Sequence, residues 1–417
     1  MSWSSPSRGM RAKLSYRLLA GCLAVAGVPA QSALAAEYYI QPVASISAEA
    51  DSNLDLQPAS QGPVSTQGGY IGDVASLFGI ATPDTETTIR PRVDYREYPS
   101  DSYDDRLEEY LDLNSVYRGE RDRASIYLGF QRRDEINAEL NSSEYNPYAP
   151  VLPTSPETGR TETGVTRTSL IVLPNYNYHL TQLTTVGVSG IYQKLEYSPN
   201  NSFDAVDFNY YQGKLFVEWA LNQKNDLTAG AYGARYEAVH FSSNATAEGA
   251  TLGLHTLWSP LFNTTESVVY QRTAIDTAIP SPLHSTENPW GASFAASYKT
   301  QTAELRMNVD RLITPSGGGG IYVNEQAQLQ YIRGLSERLT FTGSTFILKD
   351  HGLTSNVSGD DRTYFRVGVE LKWMFTPTLF VQGGYQYMTE KYQVDPDGAA
   401  NNRVYLTFGY QGQNRQY

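Results

Sequence analysis

Residues able to do chemistry are sparse in this 417-residue chain, and their spacing is not that of a catalytic centre. Its five histidines (His179, His240, His255, His284 and His351) are never spaced as a metal pair, and neither H-E-x-x-H nor G-x-S-x-G occurs. A lone polar histidine accounts for His179 in a short turn and for His284 and His351 in loops. The run Gly317 to Gly320 follows Pro315 without a Lys-Ser/Thr partner, so it reads as a flexible loop rather than a phosphate cradle. Cys22 is the single cysteine and falls in the leader described below, which removes disulfides, thiolate metal sites and cysteine nucleophiles from the mature chain. No enzyme and no cofactor is expected. What does recur is ionised residues in alternation: Arg90, Arg92, Asp94 and Arg96 interleave with Ile89, Pro91, Val93 and Tyr95.

Alternation of this kind needs strands, because successive side chains of a strand point to opposite faces. Val404, Leu406, Phe408 and Tyr410 alternate with Arg403, Tyr405, Thr407 and Gly409; Phe365 to Trp373 alternates with Arg366, Glu370 and Lys372. Leu215, Val217 and Trp219 stand against Lys214 and Glu218, and Ile126, Leu128 and Phe130 against Arg123, Tyr127, Gln131 and Arg133. No segment of useful length has the 3.6-residue period of a helix. The chain is all-β.

Composition restricts the class further. Beyond residue 36 no apolar run approaches the ~18 residues that a spanning helix needs. A formal charge of -12 argues against nucleic acid, whose phosphates favour a basic surface. The first 36 residues read as a cleaved secretory signal: Arg11, Lys13 and Arg17 precede the apolar Leu18 to Ala30, and Ala33-Leu34-Ala35 offers the cleavage site. Leu19-Ala20-Gly21-Cys22 also fits a lipidation site, but Arg17 leaves almost no apolar segment ahead of it. The remaining residues, 37–417, form one domain. Without the leader the 32 basic residues fall to 28 against 44 acidic ones, so the exported chain is more acidic still.

About eighteen candidate strands follow, from 38–49 and 67–80 through 86–98, 105–118 and 121–134 to 361–374, 378–391 and 402–411. The gaps alternate. Those at 50–66, 135–164, 276–288, 351–360 and 392–401 are long and polar, whereas Gly119-Glu120, Asn222 to Asn225, Ser259 to Phe262 and Phe375 to Thr378 are tight. Long loops on one side and short turns on the other predict a transmembrane antiparallel up-and-down β-barrel in the outer membrane of a Gram-negative bacterium. An even count returns both termini to the periplasm. Trp258, Trp373, Phe375, Tyr385, Tyr387 and Tyr410 are placed near strand ends, where amphipathic rings suit the headgroup level.

The last hairpin carries a resemblance. Trp373-Met374-Phe375-Thr376-Pro377-Thr378-Leu379 runs into Gly383-Gly384-Tyr385-Gln386-Tyr387, then to Asn401-Asn402-Arg403-Val404-Tyr405-Leu406 and Gly409-Tyr410. Together with Tyr39 to Leu56 and Ile89-Arg90-Pro91, these resemble an outer-membrane β-barrel, porin-like family often associated with exopolysaccharide and capsule export. The chain departs from it in reading Asp51-Ser52-Asn53 where the family often has Asp-Asn, and in continuing from Gln411 to Tyr417 past the last-strand aromatic. The resemblance implies a barrel fold and an outer-membrane location. Its partners would be outer-membrane lipid, the barrel-assembly machinery and a periplasmic polysaccharide-export component.

Facing then predicts the lumen. Arg90, Arg92, Arg96, Glu108, Asp112, Arg121, Arg123 and Arg133 would build a basic wall with a few acids set in it, and Arg366 and Glu370 a mixed ladder. Such ladders either pair across strands and stiffen a wet wall or set a selectivity field. The longest loop, 135–164, carries Glu135, Glu139, Glu144 and Glu157 with four prolines. It is either a solvated surface loop or an acidic segment folded inward against the basic wall to narrow a pore. Two functions remain open: a channel, with the resemblance pointing to the outer-membrane conduit of an exopolysaccharide export system, and a non-conducting barrel that displays loops or anchors an export assembly. With the first strand near residue 38, no plug domain is expected ahead of it.

Overall fold

The computed structural model describes residues 36–58, 60, 62, 64–99, 106–135, 165–198, 206–238, 243–277, 283–317, 320–353, 361–393, 397–412 and 415–416. The leader, most of loop 135–164 and His240 therefore lie outside the described residues. The strands come in chain order. The first five are β1 (Glu37–Asp51), β2 (Gln67–Ala81), β3 (Thr85–Glu97), β4 (Arg106–Arg118) and β5 (Asp122–Asp134). Next are β6 (Thr166–His179), β7 (Thr184–Ser198), β8 (Phe208–Asn222), β9 (Asn225–Ala238) and β10 (Ser243–Ser259). Then follow β11 (Phe262–Thr277), β12 (Leu283–Glu287), β13 (Trp290–Lys299), β14 (Ala303–Pro315) and β15 (Ile321–Gly334). The last are β16 (Leu339–Gly352), β17 (Arg362–Met374), β18 (Leu379–Tyr392), β19 (Ala399–Gln411) and β20 (Arg415–Gln416).

Two of these, β12 and β20, are short additions, of 5 and 2 residues. The other eighteen form one antiparallel meander that closes on itself, β1 pairing β2 on one edge and β19 on the other. The seam runs from Val43↔Gln411 to Asp51↔Arg403. Closure follows from the solvent: in hydrocarbon an open sheet edge would leave a row of unsatisfied N–H and C=O groups. Among the described residues no helix is long and apolar enough to cross a membrane.

The tight turns share a device that sheet propensity alone does not supply. Thr82, Thr181, Asn222, Ser259, Thr300, Ser336 and Thr376 each accept a backbone N–H two or three residues on, at 2.9–3.2 Å. A short polar side chain replaces the missing ladder partner and fixes where each hairpin reverses. The eighth tight turn relies on Gly119, whose N–H donates to Asp122 O at 2.8 Å.

Alternation sorts the faces. Val404, Leu406, Phe408 and Tyr410 are exposed on the outside, Leu406 at 61%, while Arg403, Tyr405 and Thr407 turn to the interior. Exposure of large apolar residues on this scale, with Leu215 at 67% and Val74 at 62%, is a lipid-facing band rather than a faulty core. Trp258, Trp373 and Tyr410 are exposed next to the tight turns, and Phe375 stacks on Phe408 with centroids 5.8 Å apart. Tyr385 departs from the expected girdle. It stands mid-strand opposite Val404, and its hydroxyl donates to Asn402 Oδ1 at 2.7 Å. His284 and His351 also sit on strand extensions rather than in loops, in β12 and β16, and His284 Nδ1 meets Asp276 Oδ1 at 2.5 Å.

Burial concentrates toward the long-loop end. There one apolar cluster joins Leu195, Phe208, Tyr236, Ala245 and Ile275, and a second joins Leu56, Phe346, Leu348, Tyr364 and Met388. The connection after β14 reaches the first of them: Ser316 O accepts from the Tyr236 hydroxyl at 3.1 Å, and Gly317 O from Val206 N–H at 2.7 Å.

Candidate functional site

A central cavity of about 1000 Å3 is lined by residues from all eighteen long strands. It is therefore the lumen itself, not a crevice in the wall. Its lining contains ten basic residues and five acidic ones, in a chain whose whole composition has 32 basic against 44 acidic. Arg235 and Arg311 belong with outward groups, pairing with Glu237 and lying over the exposed Trp290 ring, which leaves eight against five. The lining of this cavity has the opposite charge balance to the chain.

The charges cluster around the closure seam. On β3, Arg90, Arg92, Asp94 and Arg96 all face the cavity. Arg92 Nε pairs with Asp73 on β2, and its guanidinium lies over the Tyr110 ring of β4 at 5.0 Å. Arg96 Nε donates to Asp94 at 3.0 Å and stands 3.8 Å from Glu108. Glu108 also accepts from the Tyr110 hydroxyl at 2.7 Å, and Asp112 from Tyr127 at 2.5 Å. Across the seam, Glu49 takes Arg403 Nε at 2.8 Å and the Tyr98 hydroxyl at 2.6 Å. Glu370 accepts from Gln382 at 2.8 Å and Tyr405 at 2.7 Å. The Tyr405 ring lies across its neighbour strand, where a Cβ on Gly384 would come within 2.5 Å of it, so this position requires glycine. Ion pairs with third-party hydroxyl and amide donors are the way a half-buried carboxylate is kept ionised and fixed in direction.

The opposite arc, β7 to β16, is different. Gln193, Gln212, Gln271, Gln328 and Gln330 line it with serines, threonines, Tyr210 and Tyr232, and Lys214 is its inward cation at the cavity. The Tyr210 hydroxyl donates to Gln212 at 2.8 Å, and Tyr232 to Gln271. The cavity lining thus has a guanidinium and carboxylate side facing a side of mostly amides and hydroxyls, behind which Asp310 of β14 accepts from Ser293 and Gln326 and Glu304 pairs with Arg306.

Of the residues singled out from the sequence, Arg90, Arg92, Arg96, Asp112, Arg133, Arg366 and Glu370 line the cavity. Glu108 has the same facing but is fully buried beside Arg96 and Tyr110. Two expectations need correcting. Arg121 is not on the strand at all: β5 begins at Asp122, and Arg121 is an exposed turn residue whose carbonyl accepts from His179 N–H at 2.7 Å. Arg123 has the inward parity, yet it is exposed at the turn end and does not reach the cavity lining. Glu135 is buried at the end of β5, while Glu139 and Glu144 lie outside the described residues. Glu49, Asp73 and Arg167 line the cavity without having been singled out. Their parity was readable, but which strands adjoin Arg92 and Arg403 depends on closure and register.

No family model matches the chain, and no curated protein matches it. Solved structures do. OccK2 (OpdF) of Pseudomonas aeruginosa aligns at 12% identity and a TM-score of 0.45, over 90% of this chain and 98% of that one. OccAB3 of Acinetobacter baumannii aligns at 9% and 0.46, over 91% and 99%. The ferric-catecholate import receptor Fiu of E. coli aligns at 8% and 0.43, over 89% and 81%. The chain's own architecture carries the assignment: a closed antiparallel barrel with an apolar outer band and a polar interior is an outer-membrane barrel, and the outer membrane is its location.

Proposed function

We propose that the protein is a porin-like outer-membrane channel whose solute preference is set by the two-sided lumen. The observation that carries this reading is the central cavity reached by all eighteen long strands and walled by ionised and amide side chains. An eighteen-strand barrel is wide enough for an aqueous lumen. The guanidinium side (Arg90, Arg92, Arg133, Arg366, Arg403) raises the local concentration of anions, and the glutamine side offers donors and acceptors to hydroxyl groups. That pairing suits hydrophilic, hydroxyl-bearing solutes. It is also the chemistry on which the narrower role rests, a conduit in exopolysaccharide export that works with a periplasmic polysaccharide-export component. The leader at 1–36 would direct export, and the barrel-assembly machinery would insert the exported chain.

Purified protein in planar bilayers tests the channel. Stepwise conductance is expected, and silence would favour the non-conducting scaffold. The acidic segment 135–164 is either a solvated surface loop or an inward-folded constriction facing the basic wall, and the channel reading makes the second testable. Deleting residues 140–160 should then raise single-channel conductance markedly, and unchanged conductance and selectivity would return that segment to the surface.

A further inference from the structure

The connection after β1 does not leave the barrel mouth. Residues 51–58 form a compact hook tied to the start of β19. The Asn53 side chain closes it, accepting from Gln57 N–H and donating to Gln57 O, both at 2.9 Å, and donating also to Ala400 O at 3.2 Å. Asn53 N–H donates to Asp51 Oδ1 at 3.1 Å and to Asn401 Oδ1 at 3.2 Å. Leu56 N–H returns to Asn53 O at 3.0 Å. Among the described residues Leu56 is the only non-glycine with positive φ, at 48°. A branched side chain in that region is strained and persists only when its surroundings hold it.

What holds it is an apolar socket. Leu56 packs with Phe346, Leu348, Tyr364, Met388 and Ala399, on the inner faces of β16 to β19. Its neighbour Asp55 points the other way, into the field of Arg106 on β4 and Asp134 on β5, which pair with each other at 3.0 Å. Two adjacent residues therefore look to opposite sides of β1, Leu56 to a socket spread over β16 to β19 and Asp55 to the charges of the β4–β5 ion pair. The segment is thus held against the inside of the long-loop end of the barrel.

We propose that residues 51–58 are an extracellular crossbar whose docked position narrows the mouth, and that protonation of Asp55 favours docking. The proposal rests on the channel reading. Asp55 is buried while carrying a carboxylate. Burial lifts its carboxyl to about 6; Arg106 opposes the rise, and Asp134 and Asp51 add to it. Asp51, buried at the root of the hook and accepting from Asn53 N–H, is lifted by burial to about 6 as well and adds to the same response. On the socket side the ionised groups are Arg362, Asp350 and Glu390, held to one another at 3.0–3.1 Å. The sign follows from linkage. A carboxyl that holds its proton more tightly docked than in water stabilises the docked state as pH falls from about 6 toward the ordinary value of 3.8. Above that window the buried charge works against docking. Two pH units of difference correspond to ~100-fold in the docking equilibrium.

The test uses the full chain in planar bilayers at pH 7.5 and 5, alongside hydrogen exchange of the Leu56 amide. Wild type should conduct several-fold less at pH 5. Asp55→Asn, neutral and isosteric, should be low at both. Leu56→Gly, which keeps the backbone geometry but removes the anchor, should be high at both. Leu56 amide protection should rise ~10-fold between pH 7.5 and 5 in wild type and by clearly less in Asp55→Asn. Retention of the wild-type pH response by Asp55→Asn, or a flat protection factor in wild type, overturns the crossbar. Silence of every variant with the protection change intact would instead remove the channel reading and leave the hook as a pH-sensitive loop.

Discussion

Leu406→Arg should largely prevent assembly of the barrel, whereas Thr407→Arg, one residue along the same strand, should assemble as wild type does. Leu406 is 61% exposed on the outer face near the middle of β19, opposite Ala48 and Gly383. A guanidinium there sits in hydrocarbon and costs ~2–4 kcal/mol near the bilayer midplane. Thr407 faces the cavity, where its hydroxyl lies 2.7 Å from that of Ser47. Replacing it forfeits one hydrogen bond, ~1 kcal/mol, and sets a new cation in a wet lumen that already holds others. The retarded mobility of unfolded against folded barrel on unheated gels reads both variants. Equal damage from the two would contradict the assigned facing.

Arg362→Leu should give the largest loss of stability among single lumen-side changes. Its side chain is 1% exposed and bridges Asp350 Oδ2 at 3.1 Å and Glu390 Oε1 at 3.0 Å; Tyr392 also donates to Glu390 at 3.0 Å. Removing the cation leaves two buried carboxylates facing each other, and breaking a buried ionic group in this way costs ~3–5 kcal/mol. The combined Arg362→Leu, Asp350→Asn, Glu390→Gln variant removes the uncompensated charge and should lose less than the single change. The temperature at which the folded band disappears ranks the three. A triple variant less stable than Arg362→Leu would show that the ion network, not the stranded charge, carries the effect.

Strand positions and facing were readable because a lipid-facing barrel writes its apolar face at period two without interruption, as in Val404 to Tyr410. Turn sites were readable from the same alternation breaking at residues such as Asn222, Ser259 and Thr376. The lumen was legible only one strand at a time. Arg90, Arg92 and Arg96 announce themselves within β3, but Asp73 becomes a partner of Arg92 through the β2–β3 register, and Glu49 of Arg403 only through closure of β1 on β19. Arg121 was misplaced because the turn claims it: β5 begins one residue later, at Asp122, so the strand's facing does not extend to it. The hook was not legible at all. Asp51 to Leu56 reads as a polar loop start, and only the closed barrel brings Phe346, Tyr364 and Met388 to meet Leu56.

If solutes pass the basic lining of the central cavity, single-channel reversal potentials report it. With a KCl gradient across a planar bilayer, single channels of the purified protein should reverse on the anion-selective side. Arg92→Glu combined with Arg133→Glu, two lumen-wall changes on β3 and β5, should move the reversal toward cations. A wild-type channel that is cation-selective, or one whose reversal potential ignores both substitutions, would contradict the account.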